Sequence, residues 1–280
     1  MTTQTRKKKK LSASPSTRKG KATDYVIAIP SYKRAETLKE KSLATLQHYK
    51  IEPSRIFIFV ANAEEAEIYR KTIPSSSYNK LVVAVKGVKE VRNFITNYFP
   101  IGKKIVSMDD DVKGFLEYDP NSKRKEKPLK SLKTIIQQGF AACEKHHCRH
   151  WGIYPSANGF FMRPTITTDL RFIVGTLYGI INPGLKELKL PISEKDDYYR
   201  SLRMYELDGC VIRINFVAPK TAYYKEPGGM QTNPRRKNEQ ETAVAFLKKE
   251  YPEWVTVNPS RKSGFPEIRI RDSKKDKEST

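Results

Sequence analysis

Ile56-Phe57-Ile58-Phe59-Val60 is an uninterrupted apolar run near the start of a 280-residue chain. Such a run is typical of a strand buried on both faces, as in a parallel sheet covered by helices. Further apolar strands are predicted around it, at residues 25–29, 81–85 and 104–108. Amphipathic helices are predicted between the strands, at about 35–49, 64–71 and 90–98. This alternation favours an α/β fold with a mostly parallel sheet and helices on both faces.

The second half of the chain is less regular. We expect a helix over residues 129–143, strands near 160–162, 176–181 and 211–217, and a last helix over about 239–251. Residues 24–270 are thus interpreted as one domain, with a nucleotide-binding half at about 24–118 and a mixed acceptor-side half at about 128–270. Residues 1–23, rich in Lys, Ser and Thr, are predicted to be a disordered basic tail, and residues 271–280 a frayed charged tail.

The net charge is +22, of which +7 lies before residue 25 and +15 in the rest of the chain. A basic body favours a polyanionic partner such as nucleic acid, although a basic surface that serves only solubility explains the same count. No apolar run is long enough to span a membrane, and no secretory signal follows the basic residues at the start. The three cysteines are too few for a disulfide framework, which favours a reducing, intracellular setting.

The most informative segment is Lys104-Ile105-Val106-Ser107-Met108-Asp109-Asp110-Asp111, in which three carboxylates follow a buried strand. Ligands of open α/β sheets bind at the carboxyl ends of the strands. Clustered carboxylates repel one another and favour a hard divalent cation such as Mn²⁺ or Mg²⁺. An acidic turn or helix cap is the plainer explanation of the tripeptide alone.

Four blocks, taken in order, resemble the GT-A class of nucleotide-sugar glycosyltransferases. Ile29-Pro30-Ser31-Tyr32-Lys33-Arg34 resembles the loop that holds the nucleotide base, and Gly87 with Arg92-Asn93 resembles the helix before the metal motif. Asp109-Asp110-Asp111 resembles the DXD motif. Ser193-Glu194-Lys195-Asp196-Asp197-Tyr198 resembles the acidic block that supplies the catalytic base of inverting members. The likeness covers roughly residues 25–209 and implies the Rossmann-like GT-A fold.

Within that class the chain is most similar to the glycosyltransferases associated with TET/JBP base hydroxylases, which occur in phages and large DNA viruses. The resemblance implies a nucleotide-sugar donor, with UDP preferred, and DNA carrying a hydroxymethylated pyrimidine as acceptor. It implies metal binding by Asp111 and Asp109, and donor contacts from Asp109, Asp110 and the residues Pro30, Ser31, Tyr32, Arg34, Asn62, Arg92 and Asn93. Asp197 is the first candidate for the base and Asp196 the second. An intracellular viral or phage protein is the setting that this implies.

The sequence departs from the GT-A pattern at two places. Asn62 stands where an acidic residue is common, and no histidine follows His150, although many members bind the metal through a late histidine. Gln231, after Pro227-Gly228-Gly229, is the candidate replacement.

Two further clusters have more than one interpretation. The Cys and His residues between Cys143 and His150 could bind zinc, but no second ligand pair follows, and a helix end with histidines near its C-terminus is favoured. The aromatic segment from Trp151 to Phe161 suits a sugar or base pocket as well as an ordinary core segment. Two other functions stay open: transfer of sugar to protein, lipid or polysaccharide, and nucleic-acid binding without catalysis.

Overall fold

The structure is a computed structural model that describes residues 24–221, 236–258 and 266–272. In the first half, strands β1 (Tyr25–Pro30), β2 (Ile56–Val60), β3 (Lys80–Val83) and β4 (Lys104–Met108) alternate with helices. These helices are α1 (Ala35–Thr37), the π-helical segment Leu38–Leu43, α2 (Ala44–His48), α3 (Ala63–Thr72) and α4 (Val88–Tyr98). The predicted alternation is confirmed, and the element ends differ from the sequence prediction by at most two residues.

The second half mixes short strands with longer helices. Its helices are α5 (Leu132–His146), α6 (Asp196–Asp208) and α7 (Arg236–Glu250). Its strands are β5 (Phe115–Tyr118), β6 (Glu126–Pro128), β7 (His150–Ile153), β8 (Ile166–Thr167), β9 (Leu177–Ile181), β10 (Ile212–Ile214), β11 (Val217–Pro219), β12 (Val255–Asn258) and β13 (Glu267–Ile270).

Within the described residues, the main sheet has the strand order β3-β2-β1-β4-β9-β7-β10-β8. Strands β3, β2, β1 and β4 are parallel, whereas β9 runs antiparallel to both β4 and β7. The chain therefore forms a parallel first half that continues into a mixed second half, which confirms the predicted α/β fold with a mostly parallel sheet. Because β7 has the same direction as β4, the carboxyl ends of β1, β4 and β7 share one edge, called here the carboxyl edge.

Helices cover both faces of this sheet. Alternate residues of β1 belong to separate apolar clusters, with Ile27 and Ile29 in one and Val26 and Ala28 in the other. The first cluster includes residues of α3 and α5, and the second includes residues of α4, α6 and α7. Burial of β1 on both faces explains its lack of polar residues.

Some of the predicted elements are wrong. Residues 160–162 form a turn rather than a strand, with Phe160 and Phe161 exposed. The small second sheet at the carboxyl edge, in which β5 pairs with both β11 and β6, was not predicted, and a charged loop at residues 119–125 connects β5 to β6. Helix α6 was not predicted, although it begins at the second acidic block.

No described helix has the length and apolar character needed to cross a membrane. The predicted tail at residues 1–23, residues 273–280 of the tail predicted at 271–280, and the candidate Gln231 lie outside the described residues.

Candidate active site

The ends of β1 and β4 meet where the strand order reverses, which is the place where open α/β sheets bind ligands. Ser31 follows β1, and its hydroxyl donates a 2.6 Å hydrogen bond to the Asp110 carboxylate. Arg34 donates to the other oxygen of Asp110 at 3.1 Å and lies 3.7 Å from Asp111. The structure thus brings together residues predicted from two motifs about 80 positions apart.

The loop after β1 is held by helix α3. The Tyr69 hydroxyl accepts from the Arg34 backbone N–H at 3.1 Å and lies 2.6 Å from Ser31 Oγ, and Glu65 accepts from the Lys33 N–H at 2.8 Å. Burial raises the pKa of Tyr69 to about 12, so its hydroxyl stays protonated. Sequence reasoning missed both residues, because a tyrosine and a glutamate on an amphipathic helix resemble ordinary packing and surface positions.

Three other donor-side candidates have defined surroundings. Pro30 ends β1 beside Phe59 of β2, and the Tyr32 ring has the Lys33 and Lys86 ammonium groups 5.5 and 5.4 Å from its centroid. Asn62 caps α3 by accepting from the Glu65 N–H at 2.9 Å. The Tyr32 ring is therefore a half-buried aromatic face among cations, whereas the side chain of Asn62 has a structural role.

Asp109 is paired with a buried arginine from α4. Arg92 donates to Asp109 Oδ1 at 2.8 Å and also to the Ser107 hydroxyl. Burial raises the pKa of Asp109 to about 7, against the lowering effect of Arg92 and with further raising by the two neighbouring carboxylates. Asn93, the other candidate on α4, donates to the Leu190 carbonyl and accepts from its N–H, so it positions that segment.

The π-helical segment braces the turn that carries the three aspartates. Ser42 donates to the Asp109 carbonyl at 2.7 Å and accepts from the Val112 N–H at 3.0 Å, and Thr45 donates to the Val112 carbonyl at 2.9 Å. π-Helical turns occur frequently at functional sites. Between these anchors, the Asp111 side chain is 18% exposed and accepts from Thr221 at 3.3 Å.

The second acidic pair lies in the first turn of α6. Negative side chains are favourable at that position because the N–H groups of the first turn face them. Asp197 accepts from the Tyr198 N–H at 2.9 Å and from the Gly175 N–H at 3.3 Å, while Asp196 pairs with Arg200 at 3.2 Å. Burial, followed by repulsion from Asp196, raises the pKa of Asp197 to about 6.

Gly175 and Thr176 connect the two acidic motifs. The Thr176 carbonyl accepts from the backbone N–H of Asp109 at 3.0 Å, and the preceding residue, Gly175, donates to Asp197. Asp109 and Asp197, which lie 88 positions apart in the chain, therefore contact adjacent residues. A group held near Asp109–Asp111 would lie close to a carboxylate with a raised pKa.

The Cys and His cluster has no zinc-site arrangement. Helix α5 ends at His146, with His147 as its left-handed C-cap, which confirms the predicted helix end. Cys143 is buried, and Cys148 forms a disulfide with Cys210, although Cys210 is isolated in the sequence. Among the described residues, no group of three or more His, Cys, Asp or Glu side chains is arranged to hold a metal ion.

The sequence model described as TET-Associated Glycosyltransferase matches residues 25–187, more than half of the chain. This match covers three of the four blocks on which the resemblance rests. No curated protein matches the chain by sequence.

Several solved structures are similar to this chain in fold. Staphylococcus aureus TarS is 12% identical with a TM-score of 0.45, and the match covers 81% of this chain and 43% of TarS. The mannosyltransferase PcManGT of Pyrobaculum calidifontis, solved with GDP-Man and Mn²⁺, is 11% identical with a TM-score of 0.47, over 82% of this chain and 64% of that one. Glucosyl-3-phosphoglycerate synthase of Mycobacterium tuberculosis is 9% identical with a TM-score of 0.48, over 91% and 93%. The chain thus spans less than half the length of TarS.

Proposed function

The chain belongs to the TET-associated glycosyltransferase family, and from this we propose that it transfers a sugar from a nucleotide sugar to a hydroxymethylated pyrimidine in DNA. One observation supports transfer most directly: Asp109 and Asp197 contact the adjacent residues Thr176 and Gly175. A site for a diphosphate leaving group and a site for a proton acceptor are then neighbours, as a one-step displacement at a sugar carbon requires.

The donor nucleotide would bind along the carboxyl ends of β1 and β4. The Tyr32 ring offers a stacking face for the base, and Lys33 and Lys86 beside it favour a phosphorylated ligand. Arg34 and Arg92 are held by Asp110 and Asp109, so their positive charges are fixed where the diphosphate would bind rather than mobile. A UDP-sugar is the first donor to test, by analogy within the family.

The acidic turn fits a divalent cation. Asp109 and Asp110 have raised pKa values, because burial and mutual repulsion disfavour three neighbouring charges, and a cation would relieve that repulsion. Asp111 and Asp109 would bind the ion, since Asp110 already accepts from Ser31 and Arg34. Bound there, Mn²⁺ or Mg²⁺ would neutralise charge on the departing diphosphate.

Asp197 would act as the general base. Its raised pKa, about 6, gives its carboxylate more affinity for a proton than an exposed aspartate has, while leaving it ionised at neutral pH. It would remove the proton of the acceptor hydroxyl as that oxygen bonds to the anomeric carbon and the bond to the diphosphate oxygen breaks. Attack opposite the leaving group inverts the anomeric carbon. Asp196, paired with Arg200, is the second candidate for this role.

Two observations support DNA as the proposed acceptor: the family to which the chain belongs and the net positive charge of the chain. The chain carries +22, most of it outside the basic N-terminal segment, and DNA binding by basic proteins is driven by release of counterions. A protein, lipid or polysaccharide acceptor would not need such a charge.

Mass spectrometry of oligonucleotides tests the proposal. Three oligonucleotides of one sequence, carrying hydroxymethylcytosine, hydroxymethyluracil or cytosine, are incubated with a panel of nucleotide sugars and Mn²⁺. We expect the mass of one sugar to be added to a hydroxymethylated oligonucleotide and none to the cytosine control. Transfer to a protein or glycan with no transfer to either hydroxymethylated oligonucleotide would refute the DNA acceptor. No donor turnover with any acceptor would favour nucleic-acid binding without catalysis.

A further inference from the structure

Phe160 and Phe161 are 60% and 63% exposed, adjacent, and located in the turn after β7. Two neighbouring phenyl rings in water are unfavourable unless a partner covers them. Hydrogen bonds and a buried neighbouring side chain fix the conformation of this turn. Phe160 N–H donates to the Asn158 side chain and Phe161 N–H to its carbonyl, both at 3.1 Å, and the following Met162 is fully buried. The backbone therefore holds both rings on the surface.

A basic loop packs against this turn. The loop between β5 and β6 contains Lys123, Arg124 and Lys125, and a Cβ placed on Gly159 would lie 2.3–2.4 Å from the carbonyl oxygens of Lys125 and Arg124. Glu126 joins the two segments, since it accepts from the Gly159 N–H at 3.0 Å and pairs with Arg124 at 3.2 Å. The segments that carry the rings and the cations are thus packed side by side.

Both segments lie at the carboxyl edge. The turn follows β7, whose carboxyl end shares that edge with the end of β4, and β5 begins four residues after Asp111. Arg163 adds a further cation beside the rings and donates to the Phe160 carbonyl at 2.9 Å. This surface, made of Phe160, Phe161 and Lys123–Lys125, is therefore on the same side of the sheet as the acidic motifs.

We propose that this surface binds an unpaired strand of nucleic acid, with bases stacked on the two phenyl rings and phosphates facing the basic loop. Stacking on aromatic side chains with cations along the backbone is how proteins hold single strands. Paired bases hide their faces, so the exposed rings favour single-stranded over duplex DNA. The inference rests on the proposed DNA acceptor and specifies its form: the nucleotides beside the target are unstacked when the target reaches Asp197.

The test compares the full-length enzyme with the double variant Phe160→Ser/Phe161→Ser. Ile101→Ser is the matched control, because Ile101 is 76% exposed and lies at the opposite edge, just before β4. Fluorescence anisotropy with a labelled single strand measures affinity, and transfer to hydroxymethylated oligonucleotides gives KM and kcat. We expect the double variant to bind the single strand at least about tenfold more weakly and to show a similar rise in KM for DNA, with kcat nearly unchanged. The double variant Phe160→Trp/Phe161→Trp should retain binding.

Charge is tested separately. The double variant Lys123→Gln/Arg124→Gln should reduce the slope of log affinity against log salt by about 1.4, since each of the two phosphate contacts to a single strand contributes about 0.7. Ile101→Ser should change neither slope nor affinity.

The outcomes separate the two proposals. If the wild type transfers sugar to DNA and the Phe160→Ser/Phe161→Ser variant has unchanged single-strand affinity and KM, the proposal that this surface binds a single strand is refuted. The glycosyltransferase proposal would then still stand. Equal losses of duplex and single-strand affinity in this variant would also refute the proposal. Loss of single-strand binding in the serine variant, with no transfer by wild type to any DNA, would support the surface and refute the DNA acceptor.

Discussion

The guanidinium carbon of Arg200 lies 3.7 Å from the centroid of the Tyr178 ring. Arg92 lies 5.7 Å from the same centroid, so one aromatic ring contacts two buried arginines. Arg92 holds Asp109 and Arg200 holds Asp196, which makes Tyr178 a link between the two acidic motifs. Cation–π attraction is strongest where water is excluded, as it is here.

Tyr178→Leu should uncouple these motifs. Without the ring, Arg200 has no aromatic face, and the acidic turn of α6 can shift relative to Asp109. A displacement of about 1 Å can cost on the order of 100-fold in rate, so we expect kcat to fall by about 10- to 100-fold with donor KM little changed. Tyr178→Phe is the control: the ring remains, and kcat should stay within about twofold of wild type. A leucine variant with normal kcat would show that the link has no catalytic consequence.

Ser42→Ala tests the brace beneath the acidic turn. The change removes the acceptor of the buried Val112 N–H and the donor to the Asp109 carbonyl. An unsatisfied buried group costs about 1–3 kcal/mol, so urea unfolding should show a loss of that size, and the apparent Mn²⁺ affinity should weaken. Ser76→Ala, at an exposed position, should change neither. Normal metal affinity in Ser42→Ala would mean that the turn is held by its other contacts.

The contact between Ser31 and Asp110 was predictable in outline from sequence, because parallel strands place their carboxyl ends together. Apolar runs such as residues 56–60 identify such strands without knowledge of tertiary structure. Burial of the π-helical segment and of α2 through Leu38, Leu43 and Leu46 follows from helical spacing in the same way.

Other features depend on tertiary contacts that no local pattern encodes. Ser42 acts through Asp109 and Val112, 67 and 70 positions away, and a serine in a helix has no distinguishing sequence signal. Tyr178 acts through Arg92 and Arg200, 86 and 22 positions away. Residues 160–162 have the composition of a strand, yet the exposure of both phenyl rings opposes pairing within the sheet. The small second sheet was not predicted, because the pairing of β5 with β11 is non-local.

Asp111→Asn should abolish metal-dependent turnover. The change removes one ligand charge from a partly exposed side chain, so the fold should be retained, with a melting temperature within about 2 °C of wild type. We expect donor hydrolysis stimulated by Mn²⁺ to fall by at least about 10- to 100-fold, the range for loss of even a hydrogen-bonding partner of a metal ligand. Glu117→Gln, which removes a carboxylate paired with Lys127, serves as the control and should keep activity. Activity that survives both Asp111→Asn and EDTA would refute the metal role.

Asp197→Asn should lower activity while stabilising the fold at neutral pH. Folding raises the pKa of Asp197 from 3.8 to about 6, so the folded state favours the protonated form. The corresponding stability is present below pH 4 and is lost as pH rises through about 6. A shift of about two units corresponds to about 3 kcal/mol, and loss of one accepted hydrogen bond in the amide offsets about 1 kcal/mol of it.

We therefore expect Asp197→Asn to unfold at higher urea concentration than wild type at pH 7.5, by about 1–2 kcal/mol, and to lose this advantage at pH 4. Wild-type kcat should rise with pH through about 6, as the base ionises. The Asp197→Asn variant should retain less than about 1% of wild-type kcat, and its kcat should not rise with pH in this range. Asp196→Asn is the opposite control, since it leaves the buried Arg200 unpaired and should destabilise the protein at both pH values. If kcat of Asp196→Asn no longer rises with pH while kcat of Asp197→Asn still does, the base is Asp196. The rise in kcat reports ionisation of the base, so removing the base removes the rise.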